Sequence, residues 1–529
     1  MKKNALTNAV IAGIAGVAGI ASVANAVNIN PDGLGEVLIY PYYTVNGGNQ
    51  TLISVVNTTD LGKAVKVRFL EGRNSREVLD FNLYLSPFDV WTASIFSLTD
   101  TGGGNLVTLD NSCTAPAIKT NAGLPSLANG NRYAPFLNYQ YTGSNNDSGP
   151  DGITRTREGH FEMIEMGVVD DLTNDSLTAI THGATGVPAN CQQIQRAWTA
   201  GSSGAYWIAN DSIDMAPPTG GLFGAASIVD TLNGTMLAYN ADAVDSFSVI
   251  EQHTSPGSLL PNLASAVTDS AAGEATAIVF TNGGLVTATY PLTSAGTTST
   301  DTGSAIDSVS AVLANDAIFN EFTTTASVGG QSEWVVTFPT KNFYVDRAGA
   351  VGSPGIAPFP RIFPRTGTTG TAPVDIELRV FNREEGPNAT FCDDPDNTDC
   401  LPFSPQPPEQ VGNTPQLLWE TNVLTFNQGT TTGGSLIFGS TLTANVQAAD
   451  IGVTEGWMRL GLYNAAGQGS LPTHIMREDL TGGNFYGLPV TGFWALSVTN
   501  NAVTPGILSN YSGLFKHRGS RTYLITTVP

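Results

Sequence analysis

The chain has 529 residues, of which 41% are hydrophobic and only 13% charged, with 23 Lys and Arg against 45 Asp and Glu for a net charge of −22. That much apolar content excludes a disordered chain, and that much negative charge argues against nucleic acid and anionic lipid headgroups as partners. The length allows two to four domains.

Residues 1–26 read as a secretory signal. Lys2 and Lys3 precede an apolar, Ala- and Gly-rich stretch, and Ala24-Asn25-Ala26 supplies the small-x-small cleavage pattern. The stretch is short for a membrane anchor, which needs about 20 apolar residues. No later segment is long and apolar enough to cross a bilayer as a helix, so the expected location is extracellular or at the cell surface.

From residue 27 to 105 the pattern is that of strands. Gly35–Val45, Thr51–Asn57, Ala64–Leu70, Glu77–Leu85 and Val90–Phe96 recur at a spacing near ten residues, with turn clusters such as Asn46-Gly47-Gly48-Asn49 between them. Lys66-Val67-Arg68-Phe69 alternates as a strand with one wet face does. These features predict an immunoglobulin-like β-sandwich.

Residues 106–267 predict a loop-rich β insertion or second subdomain. Within it His160–Val169 reads as a strand. Asn190–Trp198 reads as a short helix capped by Asn190 with Gln193 three residues on. Ser227–Leu232, Asn233-Gly234 and Thr235–Tyr239 form a hairpin signal, because Asn-Gly supplies the two positive-φ residues of a type I′ turn. Residues 268–303, rich in Thr, Ser and Gly, read as a linker or long loop.

The segment 304–529 predicts a C-terminal β-rich domain. Ser304 and Asp307 cap a helix with Ile306, Val309, Val312 and Leu313 on one face. Strands are expected at 333–345, 374–381, 416–426, 435–438, 456–463 and 492–498. The fold class is therefore mainly β, with two or more immunoglobulin-like sandwich domains, loop-rich insertions and a few short helices. No fixed repeat period points to a solenoid.

Gly35–Tyr43, Trp334–Lys341 and Gly487–Phe493 resemble runs in uncharacterised exported proteobacterial proteins described as cell-surface proteins. The resemblance spans most of the chain after the leader. It implies a location and carries no assigned chemistry.

Four cysteines in an exported chain predict two disulfides: Cys392 with Cys400 around a small loop, and Cys113 with Cys191 over a longer span, among three pairings open in principle. Calcium is the cofactor the residues suggest. Asp393, Asp394, Asp396 and Asp399 crowd between Cys392 and Cys400, and four carboxylates in one loop repel unless a hard cation or water separates them. Asp147, Asp151 and Glu158 take the first, fifth and last positions of a twelve-residue calcium loop, although Gly149 at its third position brings no side-chain oxygen. The bland readings are a hydrated acidic loop and a Gly/Pro/Asp turn.

Catalytic motifs are absent: no Gly-x-Ser-x-Gly, no His-Glu-x-x-His, no P-loop. The five histidines are scattered. Glu162 and Glu165, three apart on one strand, face opposite sides and read as solvated acids rather than a glycosidase pair. Tyr40, Tyr42 and Tyr43 read as core or cross-strand residues before a sugar-stacking face. The expected function is a non-enzymatic, secreted or cell-surface structural protein of surface-layer or surface-assembly type, stiffened by calcium, with self-assembly or envelope components as partners. A glycan-binding adhesin and a secreted hydrolase are the alternatives, and an outer-membrane barrel ranks last because evenly repeated ten-residue strands are missing.

Overall fold

Alternation sets the first sandwich. Asn49–Asn57 buries every second residue, as a strand with one wet face must, whereas Val37–Thr44 is buried throughout. The two strands lie in different sheets of a computed structural model that describes residues 25–292, 303–349, 351–383, 387–391, 416–426, 434–446, 454–463, 473–500 and 509–525. The protein is mainly β, in many sheets.

The first sheet is antiparallel. Its central strand, Glu158–Val169, pairs with Val37–Thr44 on one side and Gly62–Glu71 on the other; Glu77–Leu85 and the short Cys113–Ala115 extend it outward. The second sheet runs in the order Thr235–Asn240, Leu222–Asp230, Asn49–Asn57, Val90–Phe96, Asn105–Val107, Tyr133–Pro135. Between the two sheets Tyr40, Phe69, Phe81 and Phe161 meet Ile53, Trp91, Ile95 and Ile228 in one apolar core. The expected boundary at residue 105 therefore does not separate two cores. The central strand of the first sheet and half of the second sheet's six strands come from 106–267, because strands flanked on both sides close a sandwich that 27–105 leaves open.

The second half repeats the scheme. A third sheet (Pro387–Phe391, Glu377–Phe381, Glu455–Gly461, Ala317–Thr323, Arg518–Ser520) faces a fourth (Thr443–Asn445, Thr421–Thr425, Gly330–Thr337, Thr491–Asn500, Ser509–Lys516). Trp334, Val336 and Leu424 point into the core they share with Ile318, Leu378 and Leu460. The fourth sheet's other face sends Val335, Val423 and Phe493 into the first core, so the halves are joined by apolar packing.

The helix Ala305–Leu313 forms where Ser304 and Asp307 predict it, with a complete capping box. It is buried on every side, not on the expected face alone. Its polar residues are satisfied internally: Asp307 accepts from Arg477 and from the Tyr344 hydroxyl at 3.0 Å.

Two local expectations change. Residues 268–292 are not a plain linker, while 293–302 lie outside the described residues: Glu274–Thr281 and Gly284–Pro291 form a hairpin whose small inward residues Ala275, Ala277 and Ala288 pack beneath that helix. Thr/Ala alternation is a strand pattern when the neighbour comes close. Residues 435–438, expected as a strand, instead turn their backbone N–H groups onto the Glu333 carboxylate.

Candidate functional site

The twelve-residue loop folds around a cation of its own. Arg155 donates Nη1 and Nη2 to the two oxygens of Asp147 at 2.7 Å each, and Nε and Nη2 to Glu71 at 2.7 and 2.8 Å. All three side chains are buried. Burial alone would raise the Asp147 pKa, but the hydrogen bonds and charge of Arg155 outweigh it and hold the carboxyl below its ordinary value. Glu158 turns elsewhere, accepting from the Tyr42 hydroxyl, Ser440 Oγ, and the Thr441 backbone N–H and hydroxyl at 2.6–2.9 Å. Asp151 stays exposed. Asp147 and Glu158 are thus committed to separate partners, Asp151 faces solvent, and the Arg155 guanidinium neutralises Asp147, the first of the residues expected to bind calcium. Among the described residues no group of three or more His, Cys, Asp or Glu is arranged to hold a metal ion.

Asp393, Asp394, Asp396, Asp399, Cys392 and Cys400 lie outside the described residues, as does the leader through residue 24. Cys113 and Cys191 do pair, with Cα atoms 5.2 Å apart, tying the edge strand Cys113–Ala115 to the helix Cys191–Ala197.

Glu162 and Glu165 correct the expectation of solvated acids. Both are buried. Arg68 donates to Glu162 and, at 2.8 Å, to Glu77. Lys63 donates to Glu165 at 2.7 Å, joined by the backbone N–H groups of Thr219 and Gly220. Burial raises both pKa values against the pull of those cations. The reason is coverage. Residues 252–255 lie across the outer face of the first sheet, with Thr254 accepting from Asn82 and Ser255 from Lys66, while Glu165, on the opposite face beside Lys63, is enclosed by Thr219 and Gly220.

The tyrosines are core. Tyr40 stacks on Phe161 at 4.1 Å and Tyr43 donates to the Thr156 carbonyl. The histidines are spoken for by packing. His253 sits between Tyr84 and the Asp211 carbonyl, and burial lowers its pKa to about 4. Only His182 meets both a hydroxyl and a carboxylate, but the same atom, Nδ1, faces Ser86 Oγ at 2.9 Å and Asp89 at 3.6 Å. A nucleophile–base–carboxylate relay needs one partner on each ring nitrogen.

What remains is a surface. The outward side chains of the second sheet form cross-strand rows: Val90, Val56, Phe223; Thr92, Ser54, Ala225, Asn240; Ser94, Leu52, Ser227, Ala238; Gln50, Val229, Met236. None carries a charge. Leu52, Val90, Phe223 and Met236 are 40–56% exposed. Four strands at about 4.8 Å, with outward residues about 6.8 Å apart, make a flat face on the order of 400 Å².

No protein-family model, curated protein or solved structure matches this chain.

Sequence reading named these four strands but missed the face. Its signal was the absence of Lys, Arg, Asp and Glu from alternate positions of 50–56, 90–94, 223–229 and 236–240, where exposed strands ordinarily carry charges that block association.

Proposed function

We propose that the protein is a non-enzymatic structural component of an extracellular or cell-surface assembly, built of immunoglobulin-like sandwich modules and associating with copies of itself. The observation that carries this reading is the charge-free outer face of the second sheet in a chain of net charge −22. Two such molecules repel wherever carboxylates oppose one another, and least where neither presents a charge. A face of about 400 Å² is roughly half the per-partner area of a stable pair, so one contact is weak and many in a lattice add up. The Cys113–Cys191 disulfide supports an oxidising, extracellular setting. Calcium bridging through Asp393–Asp399 belongs to the same proposal.

Sedimentation velocity over a concentration series tests it. The wild-type chain self-associates, and Ser54→Lys and Leu52→Glu, which place a charge at the centre of the face, sediment as monomers. A wild type that stays monomeric to its solubility limit, or variants that associate as well as it does, would refute the reading.

A further inference from the structure

Two edge strands, Thr235–Asn240 of the second sheet and Ser509–Lys516 of the fourth, run side by side without pairing. They are tied at one end, where Asn510 donates to the Asn233 carbonyl and Ser512 Oγ to the Met236 carbonyl. At the other end they part. There a groove opens, with lobes of about 330 and 290 Å³ that share Asp242, Thr491 and Lys516 in their walls. Together they fall in the range of small-molecule sites, about 300–1,000 Å³.

The lobes differ in chemistry. One is floored by Tyr239, stacked on Phe493 at 5.2 Å. The other carries Lys516, Arg518 and Arg521 against a single carboxylate, Asp242. That carboxylate is engaged by Lys516 Nζ and Thr491 Oγ1. Arg521 is held by the carbonyls of Val312 and Ala314 at 3.1 Å each, at the C-terminal end of the helix Ala305–Leu313. Arg518 is exposed, its backbone paired with Phe319, and its guanidinium has no hydrogen-bond or ion-pair partner among the described residues. In a chain with 45 acids and 23 bases, three cations within six positions make one concave spot that attracts anions on a surface that otherwise repels them.

We propose that this groove binds an acidic saccharide, a uronate-bearing glycan, with its carboxylate on Arg518 and Lys516 and the C–H face of a sugar ring over the Tyr239 lobe. A bare anion would use the cationic lobe and leave the other empty. A neutral sugar would leave the Arg518 guanidinium without a counter-charge. A ligand with both a carboxylate and an apolar ring face fills the two lobes, and the planar guanidinium of Arg518 matches a carboxylate edge-on. The inference goes beyond self-association and does not depend on it.

Isothermal titration of the full chain tests it, using trigalacturonate, a neutral galactose trisaccharide and inorganic sulfate as probes. Trigalacturonate binds saturably, Arg518→Glu weakens it about tenfold or more through loss of a charge-assisted hydrogen bond, and the neutral sugar does not bind. Arg518 is exposed, so the variant keeps the wild-type unfolding curve and the wild-type sedimentation behaviour, which separates this test from that of assembly. Absent trigalacturonate binding, binding unchanged in Arg518→Glu, or sulfate binding as tightly as trigalacturonate would each overturn the proposal.

Discussion

Replacing Arg155 with Met keeps the length and apolar stem of the side chain and removes its charge. It leaves Glu71, which is buried, without an ion-pair partner, and buried Asp147 with only Arg76 Nε at 3.7 Å. Glu71 keeps the backbone N–H groups of Arg73, Asn74 and Arg76 at 2.8–3.1 Å, and Asp147 keeps Asn74 and the Gly149 N–H. Breaking a buried ion pair costs about 3–5 kcal/mol, and these surviving donors place the loss toward the lower end, about 3 kcal/mol. The guanidinium also lies over the Tyr141 ring at 4.3 Å, a contact Met replaces only in part. Urea unfolding followed by tryptophan fluorescence reads the change. Adding Glu71→Gln and Asp147→Asn to the variant restores part of the loss, because the uncompensated charge is what destabilises. The Asp147 pKa is depressed in the fold, so its stabilisation is present above the unfolded value and fades as pH falls through the folded one. The gap between wild type and Arg155→Met therefore narrows in acid. A cost below about 1 kcal/mol, or a gap that widens as pH falls, would refute the account of Arg155 as the loop's built-in cation.

Other predictions follow from the same contacts. Glu333 accepts from Ser435 Oγ and the N–H groups of Leu436, Ile437 and Phe438, yet burial pushes its pKa up to about 7 from 4.5. The folded chain then holds the proton more tightly than the unfolded one, so this group's stability is present at low pH and lost as pH rises through 7; Glu333→Gln removes a loss of about 2 kcal/mol between pH 5.5 and 8, measured by unfolding at both values. Changing Cys113 and Cys191 together to Ala opens a 78-residue separation and lowers unfolding free energy by about 4.5 kcal/mol on the loop-entropy relation, read by denaturation. Self-association strengthens with added NaCl, since salt screens net repulsion and leaves an uncharged contact untouched; light scattering that falls with salt would contradict this. Chelation of calcium loosens the assembly if Asp393–Asp399 bridges copies, and scattering unchanged by chelator removes calcium from the proposal.

Local signals carried furthest where the chain interacts with its own near neighbours. The hairpin signalled by Asn233-Gly234 forms, although its loop is the four residues 231–234 rather than a two-residue type I′ turn and only Gly234 takes a positive φ; Asn190 caps its helix through the Gln193 N–H, and Ser304 and Asp307 cap theirs. Each depends on residues within a few positions, and so can be seen in a line of text. The calcium loop failed for the complementary reason. Its spacing is real, but Arg155, eight residues from the Asp147 it neutralises, is set in place by Glu71, 84 residues away, and the Thr441 that claims Glu158 is 283 residues away. The Glu162 and Glu165 reading failed because alternation tells which side chains share a face and says nothing of what covers either face, here Thr219 and Gly220 over Glu165.

Periodicity and turn chemistry alone therefore established a β-rich, acidic chain with identifiable hairpins, helix caps and cysteines available to pair. The fold alone decided which carboxylates meet cations, which sheet faces stay wet, and where two strand edges part to leave a cationic groove. Side-chain period is a property of the local backbone, whereas burial and charge pairing are set by contacts between segments hundreds of residues apart.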